Sequence, residues 1–223
     1  MPPIDNHYRL IRDPEDFKIE DHTPSVGSYL GTAQGLPGSD TSWEEKKARI
    51  AYYDQISEGY AQLYGEEQRG KYRTALDALD CSHADLVVDV GCGLGLFMAV
   101  VTGKVRHVVG VDTSKEMVKK AHCLNMENAH VVLCDADYLP FKGQTFDAAV
   151  AFTLLQNVDD PVTTIRQIAS TLKPKSRAVL TALKKGGPRE AFVKLIEDAG
   201  LHVSRVLDEE NVKDFIAICQ IAH

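Results

Sequence analysis

A net charge of −7 spread over 223 residues makes this chain a poor stand-alone binder of a nucleic-acid backbone, which would need a local basic patch or a partner protein to be held. Its 44% hydrophobic and 26% charged residues are ordinary globular usage, enough for a buried core in one large domain or one domain with an appendage. Five cysteines, odd in number and without CxxC spacing, argue against a disulfide framework and against a zinc site, and for a reducing compartment.

The first residues, MPPIDNHYRL, contain no apolar run of the signal-peptide kind, and no segment approaches the roughly 18 uninterrupted apolar residues of a membrane span. The expected location is the cytosol. Residues 1–41 are rich in Asp, Pro, Gly and Ser, and GTAQGLPGSD is loop chemistry throughout. This stretch reads as an arm, flexible or draped over a domain of residues 42–223. From Ser42 the pattern changes. SWEEKKARIAYYDQISEGYAQLYG has a cap, glutamates in its first turn and apolar residues at helical spacing. A second helix, EEQRGKYRTALDALD, places Tyr72, Leu76 and Leu79 on one side.

The period then switches. DLVVDV is a short run of almost unbroken apolar residues, as a strand buried on both faces requires. HVVGVD (107–112), HVVLCDA (130–136), FDAAVAF (146–152) and RAVLTAL (177–183) repeat the type, and amphipathic stretches such as SKEMVKKAHCL and DPVTTIRQIASTL separate them. Strands alternating with helices predict a mostly parallel α/β sheet with helices on both faces. The last segment, HVSRVLDEENVKDFIAICQIA, is two strands about a short acidic turn, hence an antiparallel hairpin at one edge.

The first strand runs into VVDVGCGLG, with Gly91, Gly93 and Gly95 at alternate positions. Ligands of open α/β sheets sit beyond the carboxyl ends of the strands. Glycines there allow a sharp turn and admit a ligand against bare peptide N–H groups, and a helix beginning near Leu94 would point its positive end at the same place. The spacing is GxGxG, so the third glycine of a nicotinamide-binding turn is replaced by Leu96. Asp112 ends the second strand, 21 residues after Gly91, where a carboxylate can accept both ribose hydroxyls; it could also cap the following helix, as could Thr113 or Ser114. Asp135 ends the third strand, where a carboxylate can accept from an exocyclic amine while the Ala136 N–H donates to a ring nitrogen. Asp89, Asp112 and Asp135, on three successive strands, form a more specific constellation than the glycines alone.

With these residues the chain resembles the class I S-adenosylmethionine-dependent methyltransferases over roughly residues 45–221. VVDVGCGLG resembles the first motif of that family, GVDTSKEMVKKA the acidic second strand, CDADYLPF the adenine-side motif, FDAAVAFTLLQNVDDP the fourth and LKPKSRAVLTAL the fifth. The resemblance implies a seven-stranded sheet of order 3-2-1-4-5-7-6 with the last strand antiparallel, and S-adenosyl-L-methionine as cofactor. It further implies that the turn of Gly91, Cys92, Gly93 and Gly95 faces the methionine part, that Asp112 holds the ribose, and that Asp135 and Ala136 hold the adenine. Phe152 and Thr153 would border the sulfonium, and Asp89 and Thr113 complete the cofactor-binding set. Lys175 and Ser176 replace the glycines usual after the proline of the fifth motif, at the face away from the site.

Methyl transfer from a sulfonium is an in-line displacement served mainly by alignment, so no protein nucleophile or metal is required. The chain lacks the (N/D)PP(Y/F) run used on amino groups of bases or glutamine, having TLLQN there, and lacks a Pro-Cys pair for attack on pyrimidine carbon. Cys92 and Cys134 read as small core residues. Acceptor-side candidates are Gln156 and Asn157, which could instead cap a helix beginning near Asp159, and Tyr53 from the helix that covers the cofactor in this family. Lys184, Lys185 and Arg189 could meet a phosphate or form a solvated loop. YYDQISEGYAQLYGEEQ with FTLLQNVDDP resembles an archaeal-type, translation-associated branch, which implies tRNA, rRNA or a translation factor as acceptor. Relatives of that branch use a small zinc-ribbon activator subunit, here docking on the 130–136 edge strand. A small-molecule acceptor, and a catalytically silent scaffold subunit of the same fold, are the alternatives.

Overall fold

In the computed structural model, which describes residues 41–210 and 212–221, the apolar runs become strands. These are β1 (Leu86–Val90), β2 (His107–Asp112), β3 (Ala129–Leu133), β4 (Phe146–Ala151), β5 (Leu172–Leu183), β6 (Leu201–Leu207) and β7 (Asp214–Ile221). They form one sheet of order β3-β2-β1-β4-β5-β7-β6. The first five are parallel, and β7 runs antiparallel to both β5 and β6. This is the mixed seven-stranded sheet expected from the sequence, with the terminal hairpin at one edge.

Period-two alternation sorts the central strand between two cores. Val88 and Val90 pack with Ile165 and Ile168 of α5 (Pro161–Thr171) and with Phe192 and Ile196 of α6 (Arg189–Asp198). Val87 turns the other way, against Phe97 and Met98 of α3 (Leu96–Val101) and Tyr72 and Ala75 of α2 (Tyr60–Leu79). Both faces of β1 are covered, which is why its sequence has almost no polar position. The exception is Asp89, on the Val87 face, only 2% exposed.

Several boundaries differ from expectation; β3, for one, ends at Leu133 and not at Ala136. The single helix expected over 42–65 is broken into α1 (Thr41–Ile56) and α2, because the Ser57 hydroxyl bonds the Asp54 carbonyl at 2.9 Å and Gly59, costly inside a helix, becomes the residue that precedes α2. Strand β5 starts at Leu172, five residues before Arg177, since Leu172 pairs with Phe146 ahead of an irregularity in the ladder. Helix α3 starts at Leu96 and is six residues long. Helix α4 (Lys115–Cys123) is capped by Ser114, whose hydroxyl accepts from the Met117 N–H. The arm expected over residues 1–41 lies outside the described residues except for Thr41, where α1 begins. Among the described residues no helix is long and apolar enough to cross a membrane.

Candidate active site

Beyond the carboxyl ends of β1, β2, β3 and β4, and beneath α1, lies a cleft. Its floor is the glycine turn, clipped to β2 by the N–H groups of Gly91 and Cys92, which donate to the Val111 carbonyl at 2.8 and 2.9 Å. Gly91 and Gly93 both have positive φ, +77° and +52°. A Cβ on Gly91 would lie 2.9 Å from Leu154 Cδ1, whereas one on Gly93 would project into open space. The turn thus leaves bare backbone on the cleft side at Gly93, while Leu154 fills the space beside Gly91.

Asp112 is tied into this floor. Its Oδ2 accepts from the Gly93 N–H and its Oδ1 from the Ser114 N–H, both at 2.9 Å. A carboxylate has about four acceptor positions, so beside these donors and the Thr113 N–H it keeps acceptor capacity for a ligand in the cleft. Burial raises the Asp112 pKa against the lowering effect of these backbone donors. Asp89 sits below the turn, where burial first and the Asp112 charge second push its carboxyl up to about 8.

Helix α1 lies over the cleft and is held by charge rather than by an apolar stripe. Lys46 pairs with Asp135 and reaches Asp137 at 3.4 Å and Asp159 at 3.9 Å; Arg49 pairs with Asp159. Burial opposes the charge on Lys46, but the Asp135 hydrogen bond and the three carboxylates outweigh it and its pKa is raised. At the other end Asp54 accepts from the Ser114 hydroxyl and, at 3.2 Å, from the Glu116 N–H at the start of α4.

The far wall is the segment after β4. Thr153 has φ +53°, a rare conformation for a β-branched residue and one that costs on the order of 1–3 kcal/mol. Its carbonyl accepts from Gln156 Nε2 at 2.6 Å and Asn157 Nδ2 at 2.9 Å. Because a carbonyl only accepts, the Asn157 amide is oriented with Oδ1 as its remaining polar atom.

Of the residues singled out in the sequence, Gly91, Gly93, Asp112, Thr113, Asp135, Ala136, Phe152 and Thr153 line this one cleft, as do Tyr53 and Asn157. Asp89, Cys92 and Gly95 lie outside its lining, and so does Gln156, whose Oε1 is buried without a hydrogen bond. Cys134 is half-buried, packs against the core as expected and also lines the cleft, and burial pushes its thiol up to about 12. The helix expected near Asp159 begins at Pro161 and is capped by Asp160. Lys184 is occupied by Asp208 at 2.6 Å and by the Glu209 carbonyl, so it is not a free phosphate ligand.

Sequence reasoning missed Lys46 and Arg49, because an ionic contact between distant segments leaves no periodic trace. It also missed Lys71 and Asp214, both fully buried and paired at 2.8 Å behind Thr153. Here a signal existed: Lys71 interrupts the buried stripe of Gln68, Tyr72, Ala75 and Leu79 on α2.

A sequence profile described as a methyltransferase domain matches residues 88–180. An uncharacterised protein of Methanocaldococcus jannaschii is 30% identical over 137 residues, 61% of this chain and 52% of that protein. A ubiquinone biosynthesis O-methyltransferase of Xanthomonas axonopodis pv. citri is 30% identical over 142 residues, covering 61% of this chain and 58% of the enzyme. The matches thus span little more than half the length of these relatives. Among solved structures, magnesium protoporphyrin IX methyltransferase from Synechocystis PCC 6803, with bound S-adenosylmethionine, superposes with a TM-score of 0.69 over 82% of this chain and 100% of its own at 17% identity. A chain from the complex between the Haloferax volcanii Trm112 methyltransferase activator and a methyltransferase gives 0.65 over 77% and 98% at 19% identity. Residues 88–180 thus match a methyltransferase-domain profile, and the chain shares the α/β fold of these solved structures.

Proposed function

We propose that the protein is an S-adenosylmethionine-dependent methyltransferase. The observation that carries this reading is the Asp112 carboxylate, held by the Gly93 and Ser114 N–H groups at the floor of a cleft whose glycine turn offers bare backbone. S-adenosylmethionine, when bound, supplies a methyl group activated by its sulfonium. The fit rests on the open space at Gly93 and on the spare acceptor positions of Asp112.

In this reading Asp112 accepts from the ribose hydroxyls and Asp135 from the adenine amine, while the Ala136 N–H donates to the ring. Asp135 can do so with Lys46 in place, because Lys46 on Oδ2 and the Asp137 N–H on Oδ1 leave the carboxylate further acceptor capacity. Phe152 and Thr153 form the wall beside the reacting end. Asn157 Oδ1 orients the O–H or N–H to be methylated, and Tyr53 closes over it from α1. Alignment of the acceptor by these groups supplies much of the acceleration expected of such a displacement. Gly93→Ala tests the cradle. The variant should fold with about 1 kcal/mol of backbone strain and bind S-adenosylhomocysteine at least about tenfold more weakly by calorimetry; undiminished affinity would mean that no ligand approaches this backbone.

For the acceptor, the reading is RNA of the translation apparatus or a translation factor, reached with a small zinc-ribbon activator on β3. Support comes from the likeness to a chain solved with the Trm112 activator and from the position of β3 as a sheet edge that pairs only with β2 among the described strands. A partner would also supply the positive charge that a chain at −7 lacks. A small-molecule acceptor is the second reading, favoured by the likeness to ubiquinone biosynthesis O-methyltransferases. Methyl-labelled S-adenosylmethionine, the protein and a cell extract decide the matter. Label lost on ribonuclease treatment indicates RNA, and label that passes a small-pore filter indicates a metabolite. No transfer with or without an added activator makes the protein a silent scaffold.

A further inference from the structure

Thr153 is held by three hydrogen bonds on the side away from its carbonyl. Its N–H donates to Thr181 Oγ1 at 2.7 Å, its hydroxyl bonds Asp214 Oδ2 at 2.8 Å, and Lys71 Nζ donates to the same hydroxyl at 2.9 Å. Asp214 Oδ2 also receives Lys71 at 2.8 Å and Thr181 Oγ1 at 2.9 Å, while its Oδ1 is buried without a hydrogen bond. The lysine comes from α2, the threonines from the segment after β4 and from β5, and the aspartate from the first position of β7.

This arrangement is not what stability alone would select. A buried ion pair is commonly matched or bettered by apolar side chains of the same volume, and one with an unbonded carboxylate oxygen is further from that optimum. A β-branched residue in the left-handed region persists only where its surroundings hold it there. What the strained turn achieves is visible on its cleft side. It lays Leu154 against Gly91, the first residue of the glycine turn, and presents the Thr153 carbonyl that orients Asn157.

We infer that Lys71 and Asp214 are positioning residues for the methyl-transfer site. By holding Thr153 in its left-handed conformation they set Leu154 on the floor of the cleft and Asn157 toward the acceptor, without touching either ligand. This rests on the methyltransferase reading, and it assigns a role to two residues that resemble no part of a cofactor motif.

The double variant Lys71→Met/Asp214→Val removes both charges and leaves neither partner exposed to an unpaired one. Its melting temperature is expected to stay near that of the wild type, while its affinity for S-adenosylhomocysteine falls about tenfold and amide exchange at residues 153–157 accelerates. Adding Thr153→Gly, which enters the left-handed region without a steric cost, is expected to regain most of that affinity. A purely structural pair would move the melting temperature and would gain nothing from the glycine. Undiminished affinity and unchanged exchange in the double variant overturn the inference. If that variant does not fold, Thr181→Val, which deletes the acceptor of the Thr153 N–H at constant shape, is expected to weaken binding about threefold, and unaltered binding there overturns it equally. Failure of the wild type to bind S-adenosylhomocysteine overturns the methyltransferase reading instead.

Discussion

Replacing Asp112 by alanine is expected to weaken S-adenosylhomocysteine binding at least about 100-fold, the equivalent of about 2.8 kcal/mol. Two ligand hydroxyls bonding one carboxylate are worth roughly 1.5–3 kcal/mol each. No other described side chain on β2 replaces that acceptor, because Val111 is apolar and Thr113 is already past the strand end. Alanine also strips the acceptor from the Gly93 and Ser114 N–H groups, so the turn loosens and α4 loses part of its entry geometry. A modest fall in melting temperature therefore accompanies the loss of binding. Calorimetry on folded protein separates the two: equal affinity in wild type and variant removes Asp112 from the ribose assignment and with it the main support for an adenosyl ligand.

The second large effect is on the pH dependence of stability, and it comes from Asp89. An aspartate in the unfolded chain ionises near 3.8, but in the fold this carboxyl holds its proton up to about 8, chiefly through burial and secondarily through the Asp112 charge. The folded state therefore binds the extra proton between these values, and linkage makes stability fall as pH rises across that window. Below about pH 4 the contribution is complete, and by about pH 8 it is gone. Asp112 and Asp137, whose pKa values burial also raises, add to the slope with the same sign. Each tenfold change in proton concentration is worth about 1.4 kcal/mol per proton. An amide at this position carries no charge at any pH. Asp89→Asn should accordingly melt near the wild type at about pH 4 and well above it at pH 8, without ligand. Parallel melting curves across that range would show that Asp89 ionises as an ordinary surface carboxylate does.

The two predictions concern residues that were legible in different degrees. Asp112 was recognisable because a parallel strand covered on both faces reads as a continuous apolar run, and a carboxylate at the end of such a run marks the sheet's ligand-binding edge. The same reasoning located Gly91, Gly93, Asp135 and Ala136, and the structure brings all of them to one cleft. Asp89 was visible as a carboxylate on a strand, but its environment was not. That its neighbours include Asp112 and the buried face of α2 follows only from pairing β1 with β2 and packing α2 across them. The helix break at Ser57–Gly59 was written locally, in a serine that competes for a backbone carbonyl and a glycine beside it, and was missed because the apolar spacing continues through it.

The sequence by itself determined the strands, the order in which strands and helices alternate, the reversed terminal hairpin and the glycine turn with its carboxylates, all properties encoded by burial period and local backbone demands. Tertiary structure alone decided how the cleft is closed and braced. Lys46 finds Asp135 across 89 residues and Lys71 finds Asp214 across 143, and neither partnership has a period or a spacing that a linear reading can detect. The left-handed Thr153 belongs to the same class, since nothing in FTLLQN announces it and only the convergence of α2, β5 and β7 keeps it there. Burial is a property of one residue and its near neighbours in the chain, whereas the choice of an ionic partner and the support of a strained turn are properties of segments that meet only when the sheet is assembled.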